Sequence, residues 1–370
     1  MSDPGPIPPF TPEHETLRAE IREFVERELR PHAPRWEEER WFPDEVFERM
    51  AGAGLLGLKY PVEYGGRGGD YVDDAVLTQE LSRCGSGGLA AGIGAHIGIA
   101  TPPIWKFGTE DQKRRFLAPA VRGERIAALG ITEPGAGSDV AGIRTHARRV
   151  DGGFLVNGSK TFITNGVRAH FVVTAVRTTE EGGHGGISFL VIERGSEGFA
   201  VSRKLEKLGW HASDTAELAF DDVFVPEENL LGEENGGFRL VMANFQWERL
   251  LMALGAVGGM ERTLERAVEA APGRPEFRHT VAEMAIRLES SRCLTGYALW
   301  LFASGHDAIR EVTEAKLLSQ RSALDVAEAA YRVTGGDPDV ARALRDARLG
   351  PIGGGTDEVM KEILGKVIGL

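Results

Sequence analysis

Residues able to do chemistry gather at three places in this chain, and the first is a single carboxylate. From Phe238 onward, Val241, Phe245, Glu248 and Met252 follow one another at steps of four, three and four, the spacing of one helix face. Glu248 thus stands in an apolar stripe. Burial there disfavours the charged form and pushes a carboxyl pKa upward, which suits a general base working near neutral pH. The same spacing fits a buried glutamate neutralised by Arg249 or another basic residue, because charged residues on apolar stripes are usually paired. Spacing alone does not choose between them.

The second place is Thr132-Glu133-Pro134-Gly135-Ala136-Gly137-Ser138-Asp139. Small residues, a proline and a hydroxyl make a tight loop whose backbone N–H groups can approach a planar or phosphorylated ligand; an ordinary glycine-rich turn has the same composition. The third is Pro351-Ile352-Gly353-Gly354-Gly355-Thr356-Asp357-Glu358, ahead of an apolar-periodic segment. Thr356 can cap a helix there, and glycines before a helix N-terminus offer free amides to an anion; the alternative is a flexible linker.

The elements that must position these groups fall into three parts: a helical domain over 1–125, a β domain over 126–235 and a helical bundle over 236–370. In the first, Thr11-Pro12 starts a helix carrying Leu17, Ile21, Phe24, Val25 and Leu29, and Pro31 ends it. A second helix begins near Pro43-Asp44, and 73–84 and 87–106 read as helical. The last is rich in Gly and Ala, for close helix packing or for room beside a ligand chain. In the middle part, short β-branched and aromatic runs around Phe154, Phe162, Phe171, Ile187 and Leu218 are separated by Asp151-Gly152, Asn157-Gly158, Asn165-Gly166 and Gly182-Gly183-His184. That pattern predicts an antiparallel sandwich or barrel. No G-x-G-x-x-G opens a helix after a strand, so a Rossmann dinucleotide site is not expected. Helices over 238–270, 279–305 and 309–334 and a last one after Thr356 complete an α+β layout.

Composition sets the outer bounds. The chain has 370 residues, 42% apolar and 26% charged, with 43 basic against 55 acidic residues. A net charge of −12 argues against nucleic acid as the main partner, since phosphate binding needs clustered Lys and Arg. Cys84 and Cys293 stand far apart without ligand-like company, which predicts no metal site and fits a reducing compartment. No signal pattern opens the chain and no apolar run reaches the roughly 18 residues of a membrane span. A cytoplasmic protein is the expectation.

Together the motifs resemble a family. Ile131-Thr-Glu-Pro-Gly-Ala-Gly-Ser-Asp139, Gly158-Ser-Lys-Thr-Phe-Ile-Thr-Asn-Gly166, Lys207-Leu-Gly-Trp with Ser213-Asp-Thr-Ala-Glu217 and Phe220-Asp-Asp-Val-Phe-Val-Pro226, and the C-terminal Asp346-Ala-Arg-Leu with Gly353-Gly-Gly-Thr-Asp-Glu are similar, in order and spacing, to the acyl-CoA dehydrogenases. The resemblance spans nearly the whole chain. It implies an N-terminal helical domain, a central antiparallel β domain and a C-terminal four-helix bundle, with FAD between the last two. It further implies that Leu129, Thr132, Gly137, Ser138, Phe162, Ile163, Thr164, Thr356 and Glu358 bind the cofactor, Phe162 standing where many relatives carry Trp. Ser138, Phe245, Arg249 and Gly355 would contact the acyl thioester.

In many family members the catalytic glutamate directly precedes the Gly-Thr of the last motif, where this chain has Gly354. The isovaleryl-type and long-chain-type enzymes carry it within Glu-Arg-Leu on the first long C-terminal helix, which here is Glu248-Arg249-Leu250. Helical periodicity and resemblance therefore agree on Glu248, with the N–H of residue 354 as a donor to the thioester carbonyl. The implied activity is α,β-dehydrogenation of an acyl-CoA, or of an acyl-carrier-protein thioester, with electrons passed to an electron-transfer flavoprotein or similar acceptor. A flavin oxygenase would need no such base. The chain departs from the family at 270–278, where an Arg-x-x-Phe-Gly stretch usually reaches the FAD of a neighbouring subunit, and at 336–345. Those gaps keep open a flavin-poor or half-site subunit of a heteromeric assembly beside a homo-oligomer.

Overall fold

A computed structural model describes residues 7–179 and 184–370. The Gly182-Gly183 part of the fourth predicted turn lies outside them. The N-terminal domain begins with the helix Pro12–Phe24, whose Ile21 and Phe24 are buried. Pro31 does not stop the helical run. It sits in a short 3-10 turn, Arg30–His32, that hands the chain on to the helix Ala33–Glu39, because a proline in a first turn gives up only an N–H with no intrahelical partner. Arg40, in left-handed conformation (φ 53°), ends the run. Asp44 precedes the helix Glu45–Gly52, and Asp70 caps Tyr71–Leu81 by accepting the Val72 N–H at 2.6 Å. Gly87–Ile93 continues through a wider turn, Gly94–Ala100, and a helical stretch over 110–121 escaped the sequence reading.

The central strands are β1 (Ala127–Gly130), β2 (His146–Val150), β3 (Gly153–Thr164), β4 (Phe171–Arg177), β5 (Ile187–Glu193), β6 (Phe199–Lys204), β7 (Thr215–Pro226) and β8 (Leu230–Leu231), in the order β6-β7-β3-β2-β4-β5-β8 with β1 alongside β4. The sheet is not wholly antiparallel as predicted. β4 runs parallel to both β1 and β2, since the chain leaves β1 through the Thr132–Asp139 loop and completes the β2–β3 hairpin before returning. Phe171, Val173 and Ala175 of β4 pack on the N-terminal helices, whereas Val172 and Val176 pack on Phe154, Val156 and Leu218. Both faces are covered, which explains the unbroken apolar run. Asn157-Gly158 is no turn: Gly158 lies inside β3, at a bulge with φ 142°, where a Cβ would stand 2.6 Å from the Thr145 Cα.

The C-terminal domain has three long helices, Gly237–Ala270, Arg278–Ala303 and Ile309–Thr334, with two short ones, Pro338–Ala347 and Asp357–Val367. The expected bundle of four is thus three full helices, the fourth place being shared by two short segments on either side of the glycine-rich loop. Two charged groups fasten the domains together, Arg168 buried and Asp346 partly so. Arg168 of the β domain donates to Asp214 at 2.7 Å and, across the domain border, to the Phe42 carbonyl and Asp44 at 2.9 Å each. Asp346 accepts the Gly87 N–H at 3.0 Å and the Trp210 N–H at 2.6 Å, touching all three parts. Among the described residues, no helix is long and apolar enough to cross a membrane.

Candidate active site

Where the three domains meet, a cavity of about 1380 Å³ opens. That exceeds the roughly 300–1,000 Å³ of a pocket for one small ligand. Leu129, Thr132, Gly137, Ser138 and Phe162–Thr164 line it from the β domain, Phe245, Glu248 and Arg249 from the Gly237–Ala270 helix, and Gly353–Thr356 from the loop before the last helix. All the residues singled out from the sequence therefore converge, except one. Glu358 is exposed and lies off the cavity, because Thr356, Val359 and Ile363 present the inner face of the last helix and a residue two positions from Thr356 points away from it.

Glu248 is enclosed by protein but its carboxylate opens into the cavity. Among the described residues no hydrogen bond or ion pair engages that carboxylate, so the alternative of a direct pair with Arg249 does not describe this structure. The Arg249 guanidinium instead lies 5.7 Å from the Phe245 ring centre, with its buried Nε unpartnered. Burial pushes the Glu248 pKa up to about 7, against the opposing pull of the Arg249 and Lys316 charges. Proton abstraction should accordingly rise with pH and level off above about 7, measured as the pH dependence of the first half-reaction. Stability carries the opposite sign. A carboxyl whose folded-state pKa is raised stabilises the fold most below its unfolded value, and that contribution fades as pH rises through about 7. Glu248→Gln should therefore unfold like the wild type at pH 4 and be more stable by about 1–3 kcal/mol at pH 8, by urea titration.

The Thr132–Asp139 loop is fixed by a group the sequence reading passed over. Glu133, buried, accepts the Arg144 N–H at 2.6 Å, the Thr145 N–H at 3.0 Å and the Lys160 ammonium at 2.7 Å. Lys160 also reaches the Ile131 carbonyl at 3.0 Å, and the Thr161 N–H donates to the Thr132 carbonyl at 2.9 Å. Two residues on, Phe162 takes a left-handed backbone (φ 59°) at a register shift in β3 and leaves its ring 68% exposed at the cavity wall. A non-glycine residue in that conformation is uncommon and clusters at ligand sites. Ile163 points the other way, into the sheet core, so only its backbone can serve a ligand. Gly137 and Ser138 are exposed at the rim.

On the opposite wall Gly354 and Gly355 have φ 63° and 94°. A Cβ on Gly354 would sit 3.2 Å from the Met252 Cγ, one helical turn beyond Glu248. The carboxylate on the helix and the bare backbone on the loop are thus complementary choices. Neither the Gly354 nor the Gly355 N–H donates to a protein acceptor among the described residues. Thr356 caps the Asp357–Val367 helix by accepting the Val359 N–H at 3.3 Å.

Family models described as the acyl-CoA dehydrogenase N-terminal, middle and C-terminal domains match residues 11–124, 128–223 and 235–369. An acyl-CoA dehydrogenase of Bacillus subtilis (strain 168) is 36% identical, covering 97% of this chain and 98% of its own. A crystal structure of a probable acyl CoA dehydrogenase from Mycobacterium abscessus superposes with a TM-score of 0.94 at 42% identity, covering 97% of this chain and 99% of its own. The FAD complex of PigA superposes equally well, TM-score 0.94 at 26% identity, with 98% of both chains covered.

Proposed function

The chain belongs to the acyl-CoA dehydrogenase family, and on that premise we propose that it oxidises the Cα–Cβ bond of an acyl thioester to the 2,3-enoyl thioester, with Glu248 as the base. One observation carries the reading. Glu248 is an enclosed, unpaired carboxylate in the cavity, raised to about 7, and it shares that cavity with a loop whose Gly354 and Gly355 amides have no acceptor among the described residues.

The cavity suits FAD. Phe162 offers an exposed ring face for stacking, and the pinned Thr132–Asp139 loop brings backbone amides to the same wall. Leu129, Thr132, Gly137, Ser138, Phe162, Thr164, Thr356 and the Ile163 backbone would hold the cofactor. When bound, FAD supplies the acceptor for the hydride that leaves Cβ. The protein does the rest. Phe245, Arg249 and Gly355 place the acyl group, Glu248 takes the proton from Cα, and the Gly354 N–H donates to the thioester oxygen on which negative charge develops. Apolar walls exclude water, which strengthens that hydrogen bond and holds the Glu248 pKa up to about 7, so that it is a ready proton acceptor once ionised.

Arg274, in the shortened 270–278 segment, turns inward: it donates to the Val333 carbonyl of its own chain and lies 4.3 Å from the Phe277 ring centre. An arginine spent this way does not extend to a neighbour's cofactor, which favours, as a second reading, a half-site subunit completed by a different chain. The two separate on counting FAD per polypeptide, then supplying acyl-CoAs and acyl-carrier-protein thioesters with a dye acceptor. About one FAD per chain and a product lighter by two hydrogens support the first reading, and the preferred thioester identifies the carrier. A colourless chain that turns over nothing alone contradicts it. Natural electron transfer would go to an electron-transfer flavoprotein or a similar carrier. Phe162→Ala should lower FAD content while leaving the fold intact, checked by flavin release on dilution.

A further inference from the structure

The Ile309–Thr334 helix carries one residue the proposed chemistry has not used. Lys316 is buried in a stretch of Val312, Thr313, Ala315 and Ser319, where a charged side chain is costly unless its donors are satisfied. Its ammonium donates to the Gly350 carbonyl at 2.9 Å and the Gly355 carbonyl at 2.7 Å. These two acceptors bracket the glycine run, five residues apart in sequence, so one cation ties both ends of the loop to the bundle. Backbone bonds close the loop on itself, the Asp357 N–H donating to the Pro351 carbonyl and the Gly353 N–H to the Leu349 carbonyl at 2.9 Å each, but Gly354 and Gly355 are free of side chains and their N–H groups make no bond within the protein among the described residues. Neighbouring contacts reinforce the anchor. Gln320, one turn along, donates to the Met252 carbonyl at 2.5 Å, and Arg321 donates to Asp357 at 2.7 Å.

We propose that Lys316 is a positioning residue for the dehydrogenation: by holding the Gly350 and Gly355 carbonyls from behind, it fixes the Gly354 amide toward the thioester oxygen and places a positive charge within reach of Glu248. The inference rests on the thioester reading of the site. Without the ammonium the Gly350 and Gly355 carbonyls lose their tie to the bundle, and a misplacement of about 1 Å at a reacting centre costs on the order of 100-fold in rate. The charge acts separately from the geometry. Glu248 is faced by Arg249 on its own helix and by Lys316 across from it, both favouring its ionised form. Lys316 in turn is faced by Asp357, Arg249, Arg321 and Glu248. Removing the ammonium leaves Arg249 as the remaining cation beside the base, and the Glu248 pKa rises.

The test uses flavin-loaded wild type and the Lys316→Met, Lys316→Gln and Lys316→Arg variants, with two readouts that loss of folding alone would not produce. The first is the carbonyl stretch of bound 2,2-dimethylpropanoyl-CoA, a thioester with no α-hydrogen. The second is the acid limb of kcat/KM against pH with a reactive acyl-CoA. In the wild type the stretch should fall below its value in water. In Lys316→Met that shift should largely disappear, kcat should drop about 100-fold with a smaller change in KM, and the acid limb should move to higher pH. Lys316→Arg should restore both readouts. Lys316→Gln, which keeps a donor without charge, should retain part of the carbonyl shift while its acid limb stays displaced, and it stands in should the Met variant not fold. An unchanged carbonyl shift and acid limb in the Met or Gln variant overturns the role of Lys316 alone. A wild type that leaves the carbonyl as it is in water overturns the thioester reading, and this inference with it.

Discussion

Flavin reduction by an acyl-CoA should slow by about three orders of magnitude in Glu248→Gln, the scale of a well-placed general base. Gln preserves the length and shape of the side chain, and the carboxylate it replaces has no partner to leave stranded, so the loss cannot come from a broken network. FAD content should be unchanged, since Phe162 and the Thr132–Asp139 loop lie on the other wall, and a substrate analogue should bind as before. Rapid mixing under anaerobic conditions reads the rate directly. The pH dependence sharpens the result: the wild-type rate should climb through about 7, whereas the residual rate of the variant should be flat there. A variant that reduces flavin at near the wild-type rate places the base elsewhere. Gly354 cannot be that place, because it has no side chain and Met252 lies against its would-be Cβ.

The second large effect concerns Lys160. Its ammonium is fully buried and balances the buried Glu133 carboxylate, which itself holds the Arg144 and Thr145 amides. Lys160→Met should cost about 3–5 kcal/mol of stability, the typical penalty for leaving one charge of a buried pair uncompensated. It should also release the Ile131 carbonyl and loosen the loop ahead of Phe162, so that FAD dissociates more readily. Adding Glu133→Gln should recover part of the stability, because the amide needs no counter-charge and its oxygen still accepts a backbone N–H. Urea unfolding of the single and double variants measures the first effect, and flavin retention on gel filtration the second. If the single variant is as stable as the wild type, the pair does not anchor the loop.

Much of this was legible because it is periodic. The 241–245–248–252 spacing puts Glu248 on the inward face of a helix, and in the structure it lies on that face, in the cavity and without a partner among the described residues. Glycine and proline were less legible, since their effect depends on what approaches them. Asn157-Gly158 has the composition of a hairpin turn, yet Thr145 packs so close that glycine is needed inside a continuous strand. Pro31 has the composition of a helix stop, yet it falls in a first turn, where a missing N–H costs nothing. Lys160 and Lys316 escaped for a related reason. A lysine's burial is decided by carbonyls and carboxylates far away in sequence, here Ile131 and Glu133 for one, Gly350 and Gly355 for the other. Glu358 shares a motif with Thr356, but the turn of the helix separates the two. It stands on the outer face, while Thr356 faces in.

The central claim is that this cavity oxidises an acyl thioester, and anaerobic addition of saturated acyl-CoAs to the flavin-loaded chain tests it most directly. The account expects the flavin absorbance near 450 nm to bleach with one equivalent of a suitable acyl-CoA, with a 2,3-enoyl-CoA recovered in matching amount. A fully loaded protein whose flavin stays oxidised with every acyl-CoA and acyl-carrier-protein thioester supplied would contradict it.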